Sequence, residues 1–228
     1  MKYEILLFDA DNTVLDFDKS EEQALKRAFA ETGLLFNETV LNVYRKNNIY
    51  QWQLFEQGKL TKSQVLINRF VETFKELKLT LDTVETVSNL YEEYLKLGFF
   101  VVPHAEEVLS QLQKTCKLYV VSNGVVEIQN SRMKGSGLEK YFIARFVSEE
   151  VGYPKPHIQY FDYCFKYIDG FDKQKTLIIG DSLTSDIQGG VNAGIDTCWF
   201  NPWRNANNSK LTPTYEITDL RQIPDIVK

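Results

Sequence analysis

The sequence predicts an α/β fold: a Rossmann-like doubly wound parallel sheet with a separate helical domain inserted into it. Three observations carry this reading. The run Ile5-Leu6-Leu7-Phe8 is continuously apolar and stops at Asp9, as does a strand buried on both faces that ends in a polar turn. From residue 16 to residue 97 the apolar residues recur only at helical spacing. After Pro103, strand and helix patterns alternate, which argues for a parallel sheet covered by helices on both faces. The expected division is residues 1–15 with 98–228 as the α/β domain and 16–97 as a helical cap domain. A length of 228 residues agrees, being a domain and a half at about 150 residues per domain.

Taken in chain order, Ser20 with Gln23 reads as a capping box ahead of Ala24, Leu25, Ala28 and Phe29, and Gly33 follows the stripe. A second, less cleanly amphipathic helix is expected over 39–57. Leu66, Phe70, Phe74 and Leu77 repeat at helical spacing. Asp82 with Glu85 resembles another capping box, before Val84, Val87, Tyr91 and Tyr94, and Gly98 closes that stripe. Beyond Pro103 the pattern gives helices near 104–114, 125–134, 157–168 and 185–193, between strands at 117–122, 143–148, 175–180 and 196–200. A short strand around Tyr215 to Ile217 and a helix after Asp219 complete the sheet. Gly189, Gly190 and Gly194 fall in or beside the 185–193 helix, where each interior Gly costs about 1 kcal/mol against Ala, so close packing is expected there.

Composition removes several function classes. Lys and Arg total 26 against 31 Asp and Glu, a net charge of −5, with no basic block to follow a nucleic-acid polymer. Two histidines, His104 and His157, and three cysteines, Cys116, Cys164 and Cys198, are too far apart in sequence for a Cys/His zinc cluster. Three unpaired thiols suit a reducing compartment. No apolar run has the length of a signal-peptide core or a membrane span, so a soluble cytoplasmic protein with no membrane partner is the expectation.

In an open parallel sheet, ligands bind beyond the carboxyl ends of the strands. The residues delivered there are Asp9 and Asp11 after the first strand, Ser122-Asn123-Gly124 after the second, and Asp181-Ser182 with Asp186 after Thr176 to Gly180; Pro154-Lys155-Pro156 lies between the last two groups. Each alone has an ordinary explanation: a turn, a helix cap or a solvated loop. Their joint placement at strand ends is what points to chemistry. Several carboxylates without a His or Cys partner suit a hard, oxygen-seeking cation, and Mg²⁺ takes such a sparse set because it keeps waters and substrate oxygens. The Ser hydroxyl, turn amides and Lys155 add donors for an anion, so the expected ligand is a small phosphate ester with Mg²⁺.

The four groups Asp9-Ala10-Asp11-Asn12-Thr13, Ser122, Lys155 and Gly180-Asp181-Ser182-Leu183-Thr184-Ser185-Asp186 resemble the signature motifs of the haloacid dehalogenase (HAD) superfamily of hydrolases with a helical C1-type cap. The interval between the first two exceeds the others by about the length of the 16–97 insertion, where such a cap belongs. Ser148-Glu149-Glu150-Val151-Gly152 and the stretch from Gly189 to Trp199 further resemble the YjjG-type pyrimidine 5′-nucleotidases. The resemblance implies that Asp9 is the nucleophile forming an aspartyl-phosphate, that Asp11 is the general acid and base, and that Lys155 neutralises charge. It also implies Mg²⁺ on Asp9, the Asp11 carbonyl and Asp181, with Asp186 behind them, and phosphoryl oxygens on Ser122, Asn123 and Lys155. An Asp at position 11 matches the branch that expels an alkoxide rather than the dehalogenases, which lack it. Asn12 departs from the commoner Gly but tolerates a left-handed backbone, and Pro156 restricts Lys155 to an extended conformation.

Three functions follow from the same residues: hydrolysis of nucleoside 5′-monophosphates, pyrimidine ones first; a phosphatase or phosphomutase for sugar phosphates or other small metabolites; and a phospho-accepting or ligand-sensing protein without turnover, against which Asp11 argues. Choice of leaving group would reside in the cap. There Val40, Tyr44, Trp52 and Phe55 are interrupted by Asn47, Asn48 and Gln51. The amides would read a pyrimidine with Trp52 or Tyr44 stacking, or else the aromatics form the cap core beside a solvated amide edge. Phe17 and Asp18 fall where relatives carry a mobile flap. Cys198 and Arg204 match the Cys-x5-Arg spacing of thiol phosphatases, but Pro202 and the bulky Trp199, Phe200 and Trp203 between them are ill suited to a phosphate loop.

Overall fold

Alternation along β1 (Ile5–Phe8) sets the architecture: Leu6 and Phe8 enter one apolar cluster, Ile5 and Leu7 another, on opposite faces of the same strand. The computed structural model describes residues 1–228. It comprises two compact units, 1–16 with 99–228 and 17–98, between which the chain passes at 16–17 and 98–99.

The 17–98 unit consists mainly of helices α1 (Phe17–Glu31), α2 (Glu38–Glu56), α3 (Lys62–Glu76) and α4 (Val84–Leu95). Its centre is aromatic: Tyr44, Phe70 and Tyr91 meet with ring centroids 4.9–5.5 Å apart. Two caps differ from the sequence reading. Helix α1 begins at Phe17, so Ser20 lies inside it, where its hydroxyl donates to the Gly98 carbonyl at 3.2 Å instead of capping. Asp82 sits in a 3₁₀ turn, Leu81–Thr83, that precedes α4. The capping box of this unit is Thr61 with Gln64, at the start of α3.

Polar groups are also buried in this unit. Asn47, Asn48 and Gln51 turn inward, so no solvated amide edge forms. Glu21 accepts from Arg45 Nε at 2.8 Å and Asn48 Nδ2 at 3.1 Å, yet burial pushes its carboxyl up to about 7, against the pull of Arg45. A carboxyl held above its unfolded value of 4.5 binds its proton more tightly in the folded state, so its stabilising contribution is complete below pH 4.5 and is lost as pH rises through 7. At about 1.4 kcal/mol per pH decade, that loss is on the order of 3 kcal/mol. Urea unfolding of the wild type and Glu21→Gln should show the wild type losing stability relative to the variant between pH 4.5 and 7. A constant difference would exclude a buried, proton-binding Glu21.

The other unit resumes with α5 (Ala105–Leu112), β2 (Lys117–Ser122), α6 (Val126–Gly135), β3 (Ala144–Val147), α7 (Ser148–Val151), α8 (Ile158–Tyr167) and β4 (Thr176–Gly180), followed by α9 (Gln188–Ala193), β5 (Asp196–Phe200), β6 (Tyr215–Ile217) and α10 (Ile223–Val227). Its six strands are parallel, in the order β3-β2-β1-β4-β5-β6. Strand order reverses at β1, so the crevice at its carboxyl end is the place where doubly wound sheets bind ligands. The expected 185–193 helix is split: a wide π-type turn, Leu183–Ile187, precedes α9. Such turns recur at functional sites. A Cβ on Gly189 would strike the Phe161 ring, and one on Gly190 would strike Ile178 and Thr197, so these glycines let α9 lie close on the sheet and on α8. No helix is long and apolar enough to cross a membrane.

Candidate active site

Sheet register brings the polar strand ends together. Phe8 pairs with both Val120 and Ile179, so β1, β2 and β4 end side by side, and the Asp9 N–H continues the ladder by donating to Ile179 O at 2.8 Å. The chain then turns tightly, with Val14 and Leu15 N–H both donating to the Ala10 carbonyl. Asn12 adopts φ 55°, the left-handed conformation that the turn requires and Asn tolerates.

Lys155 is the hub. Its ammonium is 1% exposed and donates to Asp9 Oδ1 at 2.6 Å, Asp186 Oδ1 at 2.7 Å and Val121 O at 2.8 Å, one acceptor for each of its three N–H bonds. Asp186 is in turn fixed by the Ser182 N–H, which donates to its Oδ2 at 3.1 Å. A Cβ on Gly180 would overlap the Asp186 carboxylate, so this close approach requires Gly. The Lys155–Pro156 peptide bond is cis. Asn123 grips the lysine's backbone on both sides: its Oδ1 accepts from Lys155 N–H at 2.8 Å and its Nδ2 donates to Lys155 O at 2.9 Å. The Ser122 hydroxyl oxygen accepts from the Gly124 N–H at 3.0 Å. Trp199 Nε1 donates to the Asp181 carbonyl at 2.8 Å, tying the end of β4 to β5.

Electrostatics of this cluster are lopsided. Asp9, Asp181 and Asp186 each bring a carboxylate oxygen to within 4.8 Å of the others, around a single ammonium. Burial pushes the Asp9 carboxyl up to about 8; Lys155 opposes the shift, and Asp186 and Asp11 reinforce it. Burial, followed by repulsion from Asp9 and Asp186, also raises Asp181 well above the ordinary carboxylate range. Burial works against the Lys155 charge, but Asp186 and Asp9 outweigh it and raise its pKa. An all-oxygen donor set with more negative charge than one lysine balances fits a hard divalent cation such as Mg²⁺.

Of the residues singled out in the sequence, Asp9, Lys155, Asp181 and Asp186 lie together, with Ser122 and Asn123 at the adjoining strand end. The Asp11 carboxylate is held elsewhere: Oδ1 accepts from Arg132 and Oδ2 from Gln129 Nε2 at 2.6 Å, both on α6. Phe17, Asn48, Gln51 and Trp52 belong to the 17–98 unit. There, Phe17 and Trp52 are half-buried, Trp52 packs edge-on against Phe55, and Asn48 Oδ1 and Gln51 Oε1 are buried without a protein partner. Tyr44 is wholly buried in the aromatic centre. The sequence reading missed Gln129, Arg132 and Trp199. For Gln129 and Arg132 the only signal was two polar residues three apart on α6; Trp199, inside the apolar run of β5, carried none. The Cys198–Arg204 spacing carries no thiol chemistry: burial pushes the Cys198 thiol up to about 12, and Arg204 is exposed.

A family model described as haloacid dehalogenase-like hydrolase matches residues 3–194. The pyrimidine 5′-nucleotidase PynA of Streptococcus pneumoniae (strain ATCC BAA-255 / R6) is 37% identical, over 99% of this chain and 95% of its own. The pyrimidine 5′-nucleotidase YjjG of Escherichia coli (strain K12) is 29% identical, over 100% of this chain and 99% of its own. The structure of Bacillus subtilis YfnB bound to magnesium superposes with a TM-score of 0.94 at 39% identity, covering 100% of both chains.

Proposed function

The chain belongs to the haloacid dehalogenase-like hydrolases, and on that premise we propose that it hydrolyses pyrimidine nucleoside 5′-monophosphates through a phosphorylated Asp9. The observation that carries the chemistry is the Lys155 ammonium bridging Asp9 and Asp186, with Asp181 completing the carboxylate cluster. The two nucleotidases similar over the whole chain support the choice of ester.

Asp9 and Asp181, with the carbonyl of Asp11, would hold Mg²⁺. Bound there, the ion supplies positive charge that offsets the repulsion between the carboxylates and an anionic substrate. Lys155 fixes the nucleophile's orientation, and Asp186 and Asn123 fix Lys155, so the arrangement exists before substrate arrives. An Asp9 oxygen attacks phosphorus, the P–O bond to the nucleoside breaks, and the departing oxygen takes a proton from Asp11. Water then attacks phosphorus and gives Asp11 a proton, and the bond between Asp9 and phosphorus breaks to release inorganic phosphate. Ser122 and the chain at Asn123 line the strand end that receives the phosphoryl oxygens. Lys155 itself reaches a phosphoryl oxygen by exchanging one of its three acceptors. Selection of the base is assigned to Phe17, Asn48, Gln51 and Trp52 of the 17–98 unit, where Asn48 and Gln51 each keep a buried amide oxygen without a protein partner.

A panel of phosphate esters assayed with Mg²⁺ and with chelator tests this reading. UMP, CMP and dTMP are expected to release phosphate fastest, with activity lost on chelation. Preference for sugar phosphates would overturn the nucleotidase assignment, and no release from any ester would overturn hydrolysis itself.

A further inference from the structure

We infer that Arg132 and Gln129 are positioning residues for Asp11, an inference that rests on the proposed acid–base role of that carboxylate. Arg132 is 0% exposed and Gln129 1%, while the Asp11 side chain retains 29% exposure. A guanidinium removed from water needs a counter-charge, and leaving one without it costs several kcal/mol; Asp11 supplies it from 121 residues away in sequence. Each oxygen of Asp11 has its own donor, Arg132 Nη1 on Oδ1 and Gln129 Nε2 on Oδ2 at 2.6 Å. One donor would leave the carboxylate free to swing about that bond; two donors on different oxygens fix its plane.

The support behind these donors is equally fixed. Gln129 and Arg132 are three residues apart on α6 and so share a face. Helix α6 follows directly from the Ser122–Gly124 strand end, and its first N–H, on Val126, donates to Glu149 Oε2 at 2.8 Å. A Cβ at Gly124 would collide with the Gln129 amide, so Gly124 opens the path that amide takes to Asp11. The element that ends beside the phosphoryl site thus also sets the plane of the group that moves the proton. Proton transfer requires heavy-atom reach of roughly 2.6–3.2 Å, and a displacement of about 1 Å costs on the order of 10²-fold in rate.

Steady-state and burst kinetics of Gln129→Met and Arg132→Lys, alone and combined with Asp11→Asn, test the inference. Met keeps the shape of Gln and Lys keeps the charge of Arg, and thermal unfolding confirms that each variant is folded. With a nucleoside monophosphate, kcat is expected to fall about 10²-fold in Gln129→Met while KM changes little. With p-nitrophenyl phosphate, whose leaving group needs no proton, the p-nitrophenol burst should keep nearly the wild-type rate. Added to Asp11→Asn, neither variant should lower activity further, because the group they position is already gone. A p-nitrophenol burst slowed as much as nucleotide turnover, losses that multiply with Asp11→Asn, or wild-type behaviour of both variants would overturn the positioning role. Failure of the underlying reading looks different: the wild type itself would release no phosphate.

Discussion

Asp9→Asn is expected to lose phosphate release by on the order of 10⁴-fold or more, because the amide cannot serve as the anionic nucleophile. The fold should survive. Lys155 keeps Asp186 and the Val121 carbonyl as partners, and the new amide oxygen occupies the place of Oδ1. Stability should even hold or rise. Burial places the Asp9 carboxyl at about 8, above its unfolded value of 3.8, so ionising it costs the folded state free energy once the pH exceeds 3.8. In chelator at pH 8, thermal unfolding of Asp9→Asn is therefore expected at or above the wild-type temperature. An inactive variant that also melts early would point to damage rather than to a missing nucleophile.

Lys155→Met carries the second large effect, and here stability and activity fall together. The ammonium is the shared partner of Asp9 and Asp186, both buried, and of the Val121 carbonyl. Removing one partner of a buried ion pair typically costs about 3–5 kcal/mol, since the remaining charges keep their desolvation penalty without compensation. The carboxylates can relieve that penalty by taking up protons. Loss of Lys155 removes the influence that holds the Asp9 carboxyl down, so the variant should lose more stability at pH 8 than at pH 5. Denaturant unfolding at the two pH values in chelator measures this. Turnover should fall by about 10³-fold or more, because the nucleophile loses both orientation and charge compensation. Equal stability losses at pH 5 and pH 8 would mean that the carboxylates do not depend on the lysine for their charge.

Legibility in the sequence followed locality. Apolar runs that stop at acidic or hydroxyl residues mark strand ends whatever the rest of the chain does, so Asp9, Ser122 and Asp181 could be placed from pattern alone; β2, β5 and β6 coincide with the expected strands. Helix caps were less legible because Ser and Asp have several local uses. Ser20 bonds to the Gly98 carbonyl from within α1, and Asp82 lies in a separate turn before α4. Pairings between distant segments were not legible at all. Nothing near Asp11 announces Arg132, and nothing near Lys155 announces that the Asn123 side chain will bracket its backbone. The amides of α2 show the same limit. Periodicity marked them as interruptions of an apolar stripe, but it could not show that they turn inward, where Asn48 meets a buried Glu21.

Covalent phosphorylation of Asp9 is open to direct observation. Wild-type protein turning over UMP in Mg²⁺, quenched in acid and digested, should yield the peptide bearing Asp9 with the added mass of one phosphoryl group. The species should be absent from Asp9→Asn, and with p-nitrophenyl phosphate, whose leaving group needs no proton, it should accumulate in Asp11→Asn, where water attack lacks its base. A phosphoryl group on any other residue, or full turnover with none trapped in either the wild type or Asp11→Asn, would contradict Asp9 as the nucleophile.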